Sequence, residues 1–359
     1  MKLAPVSSLL LCALPLLTAC GSAVGESADT AESKVGVAAE ALVAVTPAPL
    51  AGGDYGSMVI RADETVVAFG YDIHGQLGDG GNSDQKSPQP VPGLTKIKAV
   101  SAGLTNYSMA VDGDGALYSW GSNIWGQLGL GMPGNGDVSA PTKVTFPAGV
   151  LIKAVAAANI HPIALGDDGT VWSWGFNGDG QLGNGSFGGN TTSPSRVQVR
   201  LSTGELTPLT GVKAIAGGAG HGLALKEDKT VWSWGSNSHG QLGDGTIDDE
   251  CTAHAIAGLT NIKAIAAGRH HALALTEGGA VFAWGENERG QLGDESIVER
   301  RAPVSVHGLS GVTIKALAAS FESSFALKDD GTLVAWGLNG NGQLGDESST
   351  ERPRRLSIF

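Results

Sequence analysis

The sequence predicts an all-β protein whose main part is a single β-propeller of six four-stranded blades. Three observations support this prediction. The tetrapeptide Gly-Gln-Leu-Gly occurs six times, an aromatic-Gly pair stands at a constant distance before each copy, and every unit contains four short apolar runs. Four-stranded units that recur about every 50 residues are typical of propeller blades.

The repeated tetrapeptide defines the units. Its copies begin at Gly75, Gly126, Gly180, Gly240, Gly290 and Gly342. The glycine of the aromatic-Gly pair always lies five residues earlier, and the aromatic residues are Phe69, Trp120, Trp174, Trp234, Trp284 and Trp336. A constant spacing inside units of variable length indicates one rigid segment, with the length differences confined to loops. We expect the repeated tryptophans to lie in the core.

The fifth unit illustrates the predicted strands. Residues 262–266 form a short apolar run, and 271–275 and 280–284 alternate on either side of a Gly-rich turn. Residues 303–306 close the unit as a fourth strand. Short runs of period two that are separated by Gly, Asp and Pro indicate antiparallel hairpins.

The N-terminal residues predict export and a lipid anchor. Lys2 precedes an apolar stretch that is too short to span a bilayer as a helix, which is typical of a signal peptide. The stretch ends in Leu-Thr-Ala-Cys20, which resembles the lipobox of bacterial lipoproteins. The resemblance implies cleavage before Cys20, lipidation of this residue and attachment to the cell envelope. Gly21, rather than Asp, favours the outer membrane.

We therefore predict three segments, namely a signal peptide over 1–19, a lipidated cysteine and flexible linker over 20–40, and the propeller over 41–359. The linker is rich in small and acidic residues and has no aromatic residue. Cys12 would leave with the signal peptide, so Cys251 is the one cysteine of the predicted propeller and no disulfide is expected there.

Composition bounds the function. The formal net charge is −12, and no basic tract interrupts the chain. Because phosphate backbones repel an acidic surface, we expect no nucleic-acid partner. No P-loop, nucleophile elbow or zinc-hydrolase motif is present, so the sequence predicts no cofactor, no catalytic residue and no enzymatic activity.

Three histidines are the main candidates for metal ligation. His161, His221 and His271 occupy equivalent positions, where other units have Gly56, Tyr107 and Ser323. Because those residues are tolerated there, we expect structural hydrogen bonding and no metal site. The Asp-Gly segments, such as 112–115, are explained by hairpin turns rather than by calcium loops.

The residue directly before each tetrapeptide is the main candidate for partner binding. It differs in every unit, although the surrounding frame is constant: His74, Trp125, Asp179, His239, Arg289 and Asn341. Diverse side chains on a repeated scaffold are typical of a recognition surface. Neutral variation at exposed turns would give the same pattern, and both interpretations stay open.

The combination of Ala-Gly, His before an alternating strand, Asp-Gly, Trp-Gly and Gly-Gln-Leu-Gly resembles the regulator of chromosome condensation repeat family. The resemblance covers about 51–359. It implies a propeller, most familiarly of seven blades, so seven blades with one irregular blade is the alternative to six. Pairing of 354–359 beside the first blade is one way to close the ring.

The favoured function is an envelope-anchored propeller, expected to be monomeric, that binds a protein or glycan. The eukaryotic namesake of the family exchanges nucleotide on a small nuclear GTPase, so the resemblance implies an exchange-factor-like regulator as the first alternative. The extra length at 186–208 is the candidate for an inserted wedge. An envelope lyase or hydrolase is the second alternative, because propellers host both.

Overall fold

The computed structural model describes residues 50–53, 55–132, 136–309 and 311–358. Within these ranges every regular element is a β-strand. No helix there is long and apolar enough to cross a bilayer. The predicted signal peptide over 1–19 and the predicted linker over 20–40, with Cys20, lie outside the described residues.

The first three sheets each contain four consecutive strands. The first sheet consists of β1 (Leu50–Gly52), β2 (Gly56–Ile60), β3 (Val66–Gly70) and β4 (Gln85–Pro90). The second consists of β5 (Ile97–Gly103), β6 (Tyr107–Asp112), β7 (Leu117–Gly121) and β8 (Val138–Lys143). The third consists of β9 (Ile152–Ala156), β10 (Ile163–Gly166), β11 (Val171–Gly175) and β12 (Thr191–Arg196).

The last three sheets repeat this order, and the fourth has one added hairpin. It consists of β15 (Val212–Gly217), β16 (His221–Lys226), β17 (Val231–Gly235) and β18 (Glu250–Ala255), extended by β13 (Gln198–Arg200) and β14 (Leu206–Pro208). The fifth consists of β19 (Ile262–Ala267), β20 (His271–Thr276), β21 (Val281–Gly285) and β22 (Arg300–Ser305). The sixth consists of β23 (Ile314–Ser320), β24 (Ser323–Lys328), β25 (Leu333–Gly337) and β26 (Arg352–Ile358). The prediction of a six-bladed all-β propeller is therefore confirmed.

The glycine after each repeated aromatic residue has a steric role. Gly285 ends β21 with a φ of 102°, and a Cβ at this position would lie 2.3 Å from the backbone oxygen of His270. The register with β22 shifts between Ala283 and Gly285. Only glycine fits this close approach at positive φ, which explains why the Trp-Gly pair recurs.

A hydrogen bond joins each tryptophan to the preceding blade. The indole Nε1 of Trp234 donates to the backbone oxygen of Gln181, in the Gly-Gln-Leu-Gly segment of the third unit, at 3.0 Å. The same bond recurs at 2.8–2.9 Å from Trp120, Trp174, Trp284 and Trp336. All five indoles are completely buried, so the prediction that they are core residues is confirmed. The two constant motifs meet at every seam between these blades.

The first unit lacks this bond because its aromatic residue is Phe69, which has no N–H group and is only partly buried. A small buried cluster of the sixth unit contains Phe325, Ala335 and Leu344, and no described residue of the first sheet belongs to it.

One expectation about the strands is corrected, and the added segment in the fourth unit is found to contain a hairpin. The C-terminal strand β26 pairs with β25 of its own sheet, and not with the first sheet, because it is the fourth strand that completes the sixth unit. Part of the proposed wedge forms the β13–β14 hairpin, in which Val199 pairs in parallel with Ala253 of β18. The hairpin thus extends the outer edge of the fourth sheet.

Candidate binding face

Two sets of loops lie at the same end of every sheet. The second strand begins where the third strand ends, as shown by the pairing of His221 with Gly235. The turns between first and second strands and the loops between third and fourth strands therefore share one side of the propeller, which we call the loop face. The opposite side, with the hairpin turns between second and third strands, is the turn face.

The constant frame holds the backbone of each variable residue in the same way. The side-chain oxygen of Gln291 accepts a hydrogen bond from the amide of Arg289 at 2.9 Å. The equivalent bond, at 2.8–3.0 Å, fixes His74, Trp125, Asp179, His239 and Asn341. All six predicted residues therefore lie on the loop face in one backbone setting, and only their side chains differ.

Several of these side chains extend across the seam to the next blade. Trp125 packs edge-to-face on Phe176, with ring centroids 5.0 Å apart, and stays 40% exposed. His74 Nδ1 lies 2.7 Å from an oxygen of Asp137. These contacts are also structural, because they link neighbouring blades at the rim.

The other variable residues differ in their surroundings. The His239 ring lies 5.0 Å from that of His270. Asp179 is half-buried and close enough to Asp249 for its charge to help raise the pKa of that carboxyl, although burial is the main cause. Asn341 is exposed. The structure thus distributes the six residues around the rim and does not gather them into one cluster.

Arg289 belongs to an ion network between the fifth and sixth sheets. Its guanidinium contacts Glu351 at 2.7 Å and Glu322 at 3.6 Å. Arg269 also contacts Glu322, at 3.5 Å, and lies 4.6 Å from the centre of the Phe321 ring. Two acidic partners already balance the charge of Arg289, which makes it a weaker anchor for an anionic ligand than its sequence position suggests.

Exposed apolar side chains are concentrated on the loop face. Of the fourteen large hydrophobic residues that are exposed in the described part of the chain, ten lie there: Tyr55, Ile73, Ile124, Trp125, Met132, Phe187, Ile247, Ile297, Val298 and Phe321. Contiguous or one-sided apolar exposure marks interaction surfaces. Sequence analysis identified Trp125 alone among them, although apolar residues in otherwise polar loops were a usable signal.

The three equivalent histidines are fully buried and neutral. Burial lowers the pKa of His161 to about 4 and that of His271 to about 3, and it holds the pKa of His221 well below its ordinary value. His271 Nε2 lies 2.9 Å from Ser324 Oγ, as expected for structural hydrogen bonding. His161 and His221 depart from that expectation, because neither ring nitrogen of either residue has a partner at hydrogen-bond geometry among the described residues.

Carboxylates in the hairpin turns accept hydrogen bonds from backbone amides of the same turn. Asp112 Oδ1 accepts from the amides of Asp114 and Ala116 at 3.0 and 2.8 Å, so this Asp-Gly segment is a hairpin turn, as predicted. In the described ranges no three or more His, Cys, Asp and Glu side chains are grouped so as to hold a metal ion by themselves.

The fold and the loop face define the class of this protein. It is a repeat propeller in which a constant backbone frame presents variable, partly apolar loops on one side. The chain belongs to the regulator of chromosome condensation (RCC1) repeat family. Its repeat profile matches residues 63–111, 114–165, 168–225, 228–275 and 278–327. A second profile of the same repeat matches 212–241, 262–291 and 314–343.

The chain matches part of two larger curated relatives. Human E3 ubiquitin-protein ligase HERC2 is 31% identical over 92% of this chain, which spans only 7% of that protein. The Ultraviolet-B receptor UVR8 of Arabidopsis thaliana is 30% identical over 82% of this chain, which spans 53% of the receptor. The chain therefore resembles a part of each relative.

Solved structures share the fold. Human WBSCR16 has a TM-score of 0.75 and 24% identity, and the match covers 86% of this chain and 81% of that one. Yeast RCC1 (Prp20), in complex with Kap60, has a TM-score of 0.74 and 23% identity, over 86% and 74% of the two chains. A second structure of Prp20p, from Saccharomyces cerevisiae, has a TM-score of 0.69. At this identity the likeness shows the fold alone.

Proposed function

We propose that this propeller binds a protein partner through its loop face. The observation that carries the proposal is the concentration of exposed apolar residues on that face. Ile124 and Trp125 are adjacent and exposed, and Ile297 and Val298 form a second exposed pair. Because apolar and aromatic side chains dominate the core of protein interfaces, these pairs are the expected centres of contact.

The apolar pairs favour a protein over a glycan. Trp125 could stack on a sugar, but Ile124, Ile297 and Val298 offer neither a hydrogen-bond donor nor a flat ring, whereas all four side chains fit apolar pockets of a protein. Among the relatives, the structure of Prp20p was described together with its binding to Gsp1p and histones. This binding was described for Prp20p, and it supports a protein partner for the present chain only through the shared family.

The test compares capture by variants of the two faces. We expect Trp125→Ala to weaken capture of a partner from envelope extracts by about thirtyfold, the effect of removing an interface anchor worth about 2 kcal/mol. Loss of the Phe176 contact costs about 1 kcal/mol of stability, so thermal unfolding is measured in parallel. Once the partner has been captured and purified, its dissociation constants for the wild type and for each variant are measured by titration.

Leu151→Ser is the matched control, because Leu151 is exposed to a similar degree on the turn face. It should leave capture unchanged. If Trp125→Ala retains full affinity and Leu151→Ser loses it, the turn face is the working surface. Retention of bound oligosaccharide in place of protein would favour a glycan ligand.

We also propose that the propeller is attached to the cell envelope by a lipid on Cys20. The lipobox-like sequence that ends at Cys20 supports this. Cys20→Ser should move the protein from the detergent phase to the aqueous phase or leave it unprocessed, because firm attachment needs two or more acyl chains. Unchanged partition of the variant in a detergent-phase separation contradicts the proposed anchor.

Nucleotide exchange on a small GTPase remains the alternative by family resemblance. Release of labelled GDP from candidate GTPases, measured with and without the protein, distinguishes it from simple binding. Exchange that Trp125→Ala leaves unchanged would place that activity elsewhere on the propeller.

A further inference from the structure

One position in the constant frame differs in the first unit. Two residues before the variable residue, five units have an asparagine: Asn123, Asn177, Asn237, Asn287 and Asn339. The first unit has Asp72 instead. This replacement exchanges a neutral amide for a carboxylate at a completely buried position.

The asparagine amide fills a pocket of oxygen atoms. Asn287 Nδ2 donates to Asp294 Oδ1 at 3.1 Å, to the backbone oxygen and Oγ of Ser296 at 3.2 Å, and to the backbone oxygen of Val298 at 3.0 Å. Asn339 is surrounded similarly in the sixth unit. In both units the amide supplies the hydrogen atoms that the converging oxygens require.

Asp72 keeps the accepting oxygen of the asparagine side chain but lacks its donating amide group. Its Oδ1 accepts from the amide of Leu77 at 2.8 Å, as the asparagine oxygen does in the other units. Its Oδ2 therefore takes the place of the amide nitrogen, and it has no partner at hydrogen-bond geometry among the described residues. The backbone N–H of Ser83 lies close enough to lower the pKa of the carboxyl, but it does not offset the effect of burial. An unpaired buried oxygen of this kind is costly without a cation or a proton.

The surroundings of Asp72 are acidic. Asp79 corresponds to Asp294, and Asp84 Oδ1 accepts from the amide of Asp72 at 2.9 Å. In the fifth unit Arg300 contacts Asp294 at 2.7 Å, but the equivalent residue here is the neutral Gln85, whose amide donates to Asp79 at 2.9 Å. Asp72, Asp79 and Asp84 take part in no ion pair within the described ranges.

The surroundings of Asp72 disfavour its ionised form. Burial is the main cause that raises the pKa of Asp72 to about 6, and the charges of Asp79 and Asp84 act in the same direction. Asp79 is half-buried and Asp84 is exposed, so an ion can reach the pocket from solvent.

We propose that the first unit holds a divalent cation between the carboxylates of Asp72 and Asp79, with the backbone oxygen of Gly81 and water as further ligands. Gly81 corresponds to Ser296, whose backbone oxygen accepts a hydrogen bond from the amide of Asn287. Two carboxylates, one backbone oxygen and water match the preference of Ca²⁺, which tolerates irregular geometry and keeps water in open positions. The site is independent of the proposed partner.

The test measures unfolding of the full chain at pH 7.5 after chelation, with Ca²⁺ then added. Wild type should gain several degrees in Tm, increasing with Ca²⁺ concentration, because the ion binds only the folded state. Asp72→Asn should show a higher Tm than wild type without Ca²⁺, since the amide completes the oxygen pocket, and should show no response to the ion. Calorimetric titration should find one Ca²⁺ lost in this variant.

Asp248→Asn, at an exposed acid in the corresponding loop of the fourth unit, is the control and should keep the full Ca²⁺ response. Asp79→Asn should lose the response without repairing the pocket, which separates ligation from folding. A wild type whose Tm is unaffected by Ca²⁺, or an Asp72→Asn variant that retains the response, overturns the proposal. Mg²⁺ in place of Ca²⁺ in the same titration tests the preference for the larger ion.

Discussion

Trp234→Ala is expected to lower the free energy of unfolding by about 3–5 kcal/mol, the usual cost of truncating a buried tryptophan. The indole is fully buried between the third and fourth sheets, and its removal also leaves the backbone oxygen of Gln181 without its donor. Since total stabilities are about 5–15 kcal/mol, this is a large fraction. Denaturant unfolding of the purified variant measures the loss.

Two variants separate the causes. Trp234→Phe keeps most of the ring but removes the N–H group, so we expect a loss of about 1–3 kcal/mol from the unpaired oxygen. Phe69→Ala, at the equivalent but partly exposed position of the first unit, should cost clearly less than Trp234→Ala. Equal losses at the two positions would show that the seams are not held as described.

The second large effect is destabilisation in acid. His161, His221 and His271 are neutral in the folded protein, with pKa values held below 6.5 by burial. The unfolded chain therefore binds more protons below pH 6.5. Stability is fully present above that pH and is lost as the pH falls toward 4. At pH 5 His161 and His271 each cost about 2 kcal/mol, and His221 adds to the loss in the same direction.

Denaturant unfolding at pH 7.5 and pH 5.0 checks this expectation. The raised pKa values of Asp72, Asp249 and Glu286 oppose the loss, whereas the lowered pKa of His270 adds to it, and we expect the three fully buried histidines to dominate. His221→Tyr, which copies the second unit, where Tyr107 donates to the backbone oxygen of Ala158, should clearly reduce the difference in stability between the two pH values. A pH dependence that this variant leaves unchanged would contradict the assignment.

The fold was predictable because the same short patterns recur six times. In each unit the Trp-Gly pair and the Gly-Gln-Leu-Gly segment mark where the third strand ends and the loop to the fourth strand begins. Where the apolar pattern of one strand is weak, the equivalent strands of the other units indicate its position. The suggested pairing of 354–359 with the first blade was wrong, because residues 352–358 form the closing strand of the sixth unit itself, at the position that residues 303–306 occupy in the fifth. The β13–β14 hairpin has no counterpart in other units and so gave no repeated signal.

For the candidate binding face, the sequence predicts where the variable residues lie on the backbone, but it does not predict which side chains they contact. The position before each tetrapeptide could be placed on one face from the repeat alone, as Trp125 and Arg289 show. Their partners, Phe176 and Glu351, lie in other units, and only the packing of neighbouring blades brings them together. The Asp72 pocket was visible in the repeat alignment as one Asp among five Asn, but its unpaired oxygen required the three-dimensional structure.

Hydrogen–deuterium exchange of the partner complex tests the central claim most directly. If the loop face binds the partner, backbone amides of residues 122–132 and 286–299 should exchange more slowly in the complex than in the free protein. Amides of the turn face, such as residues 112–116 and 226–230, should exchange at the same rate in both. Slower exchange confined to the turn face, or to the β13–β14 hairpin, would contradict the account.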